Sequence, residues 1–343
     1  MVEAKIRQIV GRSIKKQSTE KIAAKRRSRY RVWLTVIIAS IGINISPLFH
    51  GAGRGETTRA VAFSTGLLEQ SKQSEFAQAE DTPAVSAVVE GISFIRSNNV
   101  PAAIQAFERA VSLDPSLVAA HYNLGLAFRQ DGQLQAAASS FWQAIQADPT
   151  FVLGYVNLGA ALLEGDNTAQ AKDYLTRALE LDPELGIAHY NMGLLHKREG
   201  NLPAAFASFN QGLNQPASAA KSHYQIGLIY LSQQQYSNAQ KAFENAVKLD
   251  KTYTEAHYNL GVSFVRQNSP VTAIIAFNNA LNLQPDFAHA YYAKALALAD
   301  LQRYEEAKQT LIIASTMYLS QGNTEWATIA QHQITFIETT GFQ

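Results

Sequence analysis

Apolar residues recur every three or four positions from residue 84 to residue 321, in short segments separated by turns. Such spacing places the apolar side chains on one face of a helix. The turn Asp131-Gly132 separates two such segments, and Pro149 ends the second, because the residue before a proline is forced out of the α region. The pattern therefore predicts an all-α fold built from pairs of helices.

The helix pairs repeat every 34 residues without a gap. A glycine marks the first helix of each unit, a small residue follows twelve positions later, and Phe or Leu stands four positions beyond it in the second helix. The small residues let the two backbones approach, and the larger side chain fills the remaining space on the same face. The marker residues are Gly91, Gly125, Gly159, Gly193, Gly227, Gly261 and, in the last unit, Ala295.

This pattern of small, aromatic and proline positions resembles the tetratricopeptide repeat over about two-thirds of the chain. The resemblance implies a right-handed α-solenoid of seven tetratricopeptide helix pairs, since a single pair cannot bury its apolar faces alone. Residues 322–343 carry apolar side chains at near-helical spacing and predict a C-terminal capping helix. The repeats are expected at residues 84–117, 118–151, 152–185, 186–219, 220–253, 254–287 and 288–321.

A carboxamide stands two residues before the marker glycine in five repeats. If each repeat is numbered from seven residues before its marker, the amide is position 6, and positions 2, 6, 9 and 13 share one helical face. First helices line the concave surface of tetratricopeptide arrays, so the resemblance implies a row of amides inside a groove. A carboxamide donates and accepts at once, which suits the backbone of an extended peptide. We call these residues the amide row: Asn123, Asn157, Asn191, Gln225 and Asn259.

The competing interpretation is that the amide belongs to the generic repeat and only solvates a helix face. An apolar residue at position 9 lies beside the amide row and favours binding, although part of this set is free to pack against neighbouring repeats instead; it includes Leu126, Leu194 and Leu228. Cations at positions 12 and 13 either attract acidic ligands or, on the simpler interpretation, are solvated surface residues; they include Arg129, Lys197 and Arg198.

Other ligand chemistries are excluded by residue type. The carboxylate clamp that binds chaperone tails needs Asn at position 9 and a basic residue at position 6, and neither occurs. The sequence has no cysteine, HExxH motif, phosphate-binding glycine loop or serine elbow, so we expect no catalytic residue, metal or cofactor. Four histidines at position 4, one per repeat, are expected to pack between helices: His121, His189, His223 and His257.

The N-terminal region has a different composition. Residues 1–31 hold eleven Lys and Arg against two Glu, whereas the residues from 84 onward hold 15 basic and 21 acidic residues. Residues 32–49 are uncharged and would span about 27 Å as a helix, close to the thickness of a bilayer core. This hydrophobic helix is predicted to be a single-pass membrane anchor, with the basic tail cytoplasmic and the repeats on the extracytoplasmic side. Residues 50–83 are rich in Gly, Ser, Thr and Gln and are predicted to be a flexible linker.

A membrane-anchored scaffold or assembly factor that binds protein segments in its groove fits these features best. One alternative is an exported, soluble adaptor, because Ala77-Gln78-Ala79 has the form of a signal cleavage site. Another is the targeting subunit of a glycosyl-transfer system, because a similar asparagine row binds peptide in the O-linked N-acetylglucosamine transferases. The acidic array is a poor partner for nucleic acid, so none is expected.

Overall fold

A computed structural model describes residues 82–340 of the protein, which form an all-helical solenoid with no strand among them. The predictions for residues 1–31, 32–49 and 50–81 lie outside these described residues. One short 3₁₀ helix covers Gly212–Asn214. The α-helices are α1 (Pro83–Arg96), α2 (Val100–Leu113), α3 (Val118–Gln130), α4 (Leu134–Ala147), α5 (Val152–Glu164), α6 (Thr168–Leu181), α7 (Gly186–Arg198), α8 (Leu202–Gln211), α9 (Pro216–Ser232), α10 (Tyr236–Leu249), α11 (Thr254–Arg266), α12 (Pro270–Leu283), α13 (Ala288–Asp300), α14 (Tyr304–Ser320) and α15 (Thr324–Thr340).

Each odd-numbered helix from α1 to α13 ends in the same turn. The residue after the C-cap has a positive φ, between 58° and 81°, and the N–H of the next residue donates to the carbonyl five residues back. In the turn after α3 these are Gly132 and the bond from Gln133 N to Phe128 O, 2.8 Å long. This left-handed termination satisfies carbonyls that the end of a helix leaves unpaired. The left-handed residues are Asn98, Gly132, Asp166, Gly200, Gln234, Asn268 and Gln302.

Exchanging residues between equivalent turns should change stability in opposite directions. Gln302 adopts φ 63°, where a side chain is strained, so Gln302→Gly should raise the free energy of unfolding by about 0.5 kcal/mol, after the entropy of glycine in the unfolded chain is subtracted. Gly132→Gln should lower it by about 1 kcal/mol, although a first side-chain carbon there would meet no atom within 4 Å. Urea unfolding measures both. Equal signs for the two variants would contradict the backbone explanation.

Two side chains hold the turn that leads from α2 to α3. Asp114 accepts hydrogen bonds from Ser116 Oγ at 2.7 Å and from Ser116 N at 2.9 Å, which lower the pKa of this carboxyl. His121 Nε2, at position 4 of the next helix, donates to Pro115 O at 2.8 Å. His189 makes the same bond to Pro183 O. His121 and His189 therefore fasten these turns to the helices that follow them.

The predicted close approach of paired helices is present. A carbon added at Gly125 would lie 2.6 Å from Cε1 of Phe141 in α4, and Phe141 is fully buried. The same relation holds between Gly193 and Phe209 and between Gly227 and Phe243. Each marker glycine therefore makes room for a large side chain of the even-numbered helix that follows, an aromatic ring in most repeats and Leu175 opposite Gly159, as the sequence spacing predicts.

Contacts between helices fix the direction in which the array bends. Each odd-numbered helix from α1 to α11 contacts the next odd-numbered helix, whereas even-numbered helices make no contacts of that extent with one another within residues 82–340. Elements on the inside of a bend approach each other more closely than those on the outside. The odd-numbered helices therefore line the inside of the curve, which we call the inner face.

The connection between α8 and α9 departs from the others. α8 has only ten residues, the 3₁₀ helix follows, and α9 begins early at Pro216 and runs for 17 residues. No aspartate caps this turn. Instead Gln215 Oε1 accepts from Gly186 N at 3.0 Å, and Gln215 Nε2 donates to Glu184 O at 3.1 Å, so its amide ties the turn to the start of α7.

Candidate functional site

Two hydrogen bonds fix how neighbouring odd-numbered helices align. Asn157 Nδ2 in α5 donates to the hydroxyl of Tyr122 in α3 at 3.1 Å, and Asn259 Nδ2 in α11 donates to the hydroxyl of Tyr224 in α9 at 3.2 Å. In both cases position 5 of one repeat faces position 6 of the next. The amide row therefore lies along the junctions between consecutive odd-numbered helices, where its members are at most 9% exposed.

Asn157 and Asn259 use their amide N–H groups in hydrogen bonds within the protein. Asn157 Nδ2 also donates to Leu153 O at 3.0 Å, and Asn259 Nδ2 also donates to Glu255 O at 3.0 Å. Because an amide nitrogen has two hydrogens, both donors of each residue are used. Each of these two amides joins neighbouring helices through one N–H and its own helix through the other, and the prediction that they bind a peptide stays a prediction.

The other three amides make fewer hydrogen bonds within the described chain. Asn123 Nδ2 donates to Ala119 O at 2.8 Å. Gln225 Oε1 accepts from Lys197 Nζ at 2.9 Å, while its Nε2 makes no hydrogen bond within the described chain. Asn191 makes no hydrogen bond there at all. Amide groups that are not fully used within the described chain therefore lie on α3, α7 and α9.

The three cations predicted near the groove have partners within the protein. Arg129 Nε donates to Glu164 Oε2 at 2.9 Å, and its NH1 reaches Asn157 Oδ1 at 3.4 Å. Arg198 pairs with Asp166 at 2.9 Å and also donates to the carbonyl of Leu163. With the bond from Lys197 to Gln225, each cation links one repeat to the next. Arg129, Lys197 and Arg198 therefore connect repeats within the protein, and their contact with an acidic ligand stays a prediction.

The apolar residues at position 9 divide between core and surface. Leu126 and Leu228 are buried and belong to the hydrophobic core of the repeats, whereas Leu194 is only partly buried. Leu194 follows Asn191 by three residues on the same face of α7, as Leu228 follows Gln225 on α9.

Sequence reasoning missed Tyr122, Tyr224 and Glu164, which hold the junctions together. The signal was available, because position 5 of one repeat and position 6 of the next are always 35 residues apart. This spacing is recognised as a contact only when consecutive repeats are aligned side by side.

Comparisons with known proteins now bear on this array. Tetratricopeptide repeat family patterns match residues 88–150 and 156–221, 227–268, and 288–312. The chain is a tetratricopeptide repeat protein. No curated protein sequence matches it.

Solved structures resemble this tetratricopeptide repeat protein in fold. The APC/C hetero-tetramer Cut9–Hcn1 aligns with a TM-score of 0.57 at 18% identity, over 79% of this chain and 53% of that chain. The chain therefore spans about half the length of that relative. A tetratricopeptide repeat protein from Parabacteroides merdae aligns with a TM-score of 0.52 at 17% identity, over 72% of this chain and 98% of that one. Such identities support the fold alone, and proteins of this type are typically protein–protein interaction scaffolds.

Two negative findings concern the described part of this tetratricopeptide repeat protein. Between residues 82 and 340, no helix combines the length and the apolar character needed to cross a bilayer. In the same range no three His, Asp or Glu side chains converge on a point where they would hold a metal ion.

Proposed function

We propose that this tetratricopeptide repeat protein is a membrane-anchored scaffold or assembly factor that holds extended segments of partner proteins against its inner face. The observation that carries the proposal is the alignment of the odd-numbered helices, which sets one position-6 side chain at each junction along the inside of the curve. A regular row of polar groups matches a regular ligand, and the polypeptide main chain is the one that repeats.

The proposal includes three finer features. The fourteen helices from α1 to α14 are seven repeats of a right-handed superhelix, and α15 caps it. Residues 32–49 form the anchor, and residues 50–83 tether the repeats to it. The hydrophobicity of residues 32–49 and the cations before them support this arrangement, which puts the repeats on the extracytoplasmic side.

Site-specific photocrosslinking in native membranes tests the binding face. A photoreactive amino acid at Leu194, on the inner face, should crosslink to a small set of partner peptides that mass spectrometry can identify. The matched control places the same amino acid at Gln143, an exposed residue of α4, an even-numbered helix. Crosslinks from Gln143 but not from Leu194 would place the partner on the opposite surface and contradict the proposal.

Membrane extraction tests the anchor. The full-length protein should stay in the membrane pellet after alkaline carbonate treatment, because a spanning helix is not released by salt or pH. Mass spectrometry of the mature N-terminus is the control for processing. A mature chain that starts near residue 80 would refute the anchor and favour the exported, soluble form.

A further inference from the structure

The solvent-exposed side of α12 and α14 carries a group of large apolar side chains. Val271 is 61% exposed and Ile275 58% exposed, and Ile312 and Ile313 are 40% and 42% exposed. The position of Ile275 is Gln, Ser, Asp, Ala or Lys in the other repeats, and that of Ile313 is Arg, Gln or Asn. The helix pair therefore does not need isoleucine there, and an exposed apolar group of this kind marks a contact surface. With Leu319, these residues are called the outer patch.

The charge of these two helices favours contact with a second copy of the chain. The residues from 84 onward hold 21 acidic and 15 basic residues, so two copies repel each other through most of their surfaces. α12 has no charged residue, and the charged residues of α14 all lie within its first five positions. α4 and α8 are also uncharged, but within these two described helices Trp142 is the only exposed large apolar side chain. The outer patch is therefore the apolar surface where two copies repel least.

Polar and apolar residues follow opposite orders along the exposed sides of the two helices. From the N-terminus, the exposed side of α12 is first apolar and then polar, with Val271, Ile275, Asn279 and Asn282. The exposed side of α14 is first polar and then apolar, with Glu305, Gln309, Ile313, Thr316 and Leu319. Equivalent helices of consecutive repeats run in the same direction, so within one chain the apolar half of α12 corresponds to the polar half of α14.

Antiparallel pairing between two copies matches these halves. If Ile275 of one copy faces Ile313 of the other, four residues along each helix in opposite directions bring Asn279 opposite Gln309. One turn further, Asn282 comes close to Glu305, whose carboxylate accepts hydrogen bonds from an amide N–H. The same contacts form twice in a two-fold dimer, because α12 of each copy meets α14 of the other. The two helices together are therefore self-complementary.

We propose that the outer patch is the interface of a homodimer in which α12 of each copy packs antiparallel against α14 of the other. This inference goes beyond the proposed function and leaves the inner face of both copies open, because the contacts are made by even-numbered helices. A face about 21 Å long and two helices of about 10 Å wide covers roughly 400 Å². That is about half of the area that each partner contributes to a standard interface, so the dimer is weak and reversible.

Cysteine crosslinking tests the pairing, because the sequence contains no cysteine. Full-length Ile275→Cys and full-length Ile313→Cys are purified separately in detergent, mixed and oxidised. The mixture should give a disulfide-linked dimer, because facing residues lie within disulfide distance, whereas either variant alone should give roughly tenfold less. In the matched control, Leu249→Cys replaces Ile313→Cys, since Leu249 is exposed on α10 outside the outer patch.

Charged variants measure the affinity. Sedimentation velocity of the full-length protein in density-matched detergent gives the dissociation constant of the dimer. Ile275→Lys and Ile313→Glu should each raise this constant by about tenfold or more, because a charge then faces an isoleucine. The double variant should recover most of the loss, because Lys and Glu face each other across the interface. Leu249→Lys should change the constant less than about twofold, and circular dichroism checks that every variant is folded.

Several results would overturn the dimer. They are a wild type that stays monomeric up to about 1 mM, single charged variants that dimerise as well as the wild type, and a double variant that recovers nothing. Ile275→Cys alone crosslinking as readily as the mixture would place α12 against itself and contradict the pairing. A photoreactive residue at position 275 that captures only lipid or another protein would assign the outer patch to that partner instead. Crosslinking from Leu194 should be unchanged in Ile275→Lys, so the proposed function is tested separately.

Discussion

Gly193→Val is expected to lower the free energy of unfolding by about 3 kcal/mol, one of the largest effects of any single substitution in the array. A first side-chain carbon at this position would lie 2.5 Å from Cε1 and 2.6 Å from Cδ1 of Phe209. Phe209 is fully buried and cannot swing into solvent, so the clash has to be relieved by moving α7 away from α8. Thermal and urea unfolding followed by circular dichroism would measure the loss.

The last repeat provides the compensating change. It has Ala295 in place of the marker glycine and Leu311 in place of the aromatic ring, and both are fully buried. Adding Phe209→Leu to Gly193→Ala should therefore recover about 1 kcal/mol relative to the sum of the two single substitutions. Gly165→Ala is the matched control, because Gly165 is exposed, has a negative φ and leaves ordinary contact distances for a methyl group. Strict additivity of the first pair would contradict the clash.

Acidification from pH 6.5 to pH 4 is expected to remove up to about 3 kcal/mol of stability through His289 alone. Burial lowers the pKa of this histidine from 6.5 to about 4 in the folded protein. Its Nδ1 lies 2.6 Å from the Tyr318 hydroxyl, and its ring lies against Trp326 at a centroid distance of 4.9 Å. Tyr318 and Tyr258 face the same cluster and have raised pKa values, so they are neutral throughout this range.

The sign follows from proton binding. Above pH 6.5 the histidine is neutral in both states, and its environment carries no penalty. Between pH 6.5 and pH 4 the unfolded chain binds a proton that the folded protein does not, so stability falls with decreasing pH by about 1.4 kcal/mol per unit. Below pH 4 both states are protonated and the loss levels off.

Two variants separate the contribution of His289 to the pH dependence of stability from that of other groups. His289→Gln should flatten the dependence of unfolding free energy on pH between 6.5 and 4, whereas Tyr318→Phe should lower stability but leave the dependence in place. The difference between wild type and variant is the relevant quantity, because burial also lowers the pKa of His223. A wild type and a His289→Gln variant with parallel pH profiles would show that His289 does not titrate as described.

The fold was predictable to the level of the helix and its packing partner, because these depend on spacing within one repeat. The pairing of Gly193 with Phe209 is an example, since sixteen residues along two helices and a turn of known length fix which side chains meet. The early start of α9 was only hinted at by Pro216, one position ahead of its counterparts. Gln215, which caps the adjoining turn through two hydrogen bonds, has no equivalent in other repeats and gave no periodic signal.

The position of the amide row was predictable from the sequence, but the hydrogen bonds that its members make were not. Spacing alone placed the amide row on one face of the odd-numbered helices, which is where the structure has it. The hydrogen bond of Asn157 depends on Tyr122 across the junction, and predicting it requires the alignment of neighbouring repeats. The pairing of Arg129 with Glu164 depends on the same alignment, which explains why the cations were predicted to be solvated.

Each helix of the array makes its extensive contacts only with elements one or two along the chain. The relative contact order is therefore low, and little loop-closure entropy opposes the formation of any one junction. Folding is free to begin at any repeat and spread in both directions, and unfolding begins at the two ends. The central repeats, α7 and α9 among them, are then the last to open, so this part of the inner face stays ordered even while the termini of the array fray.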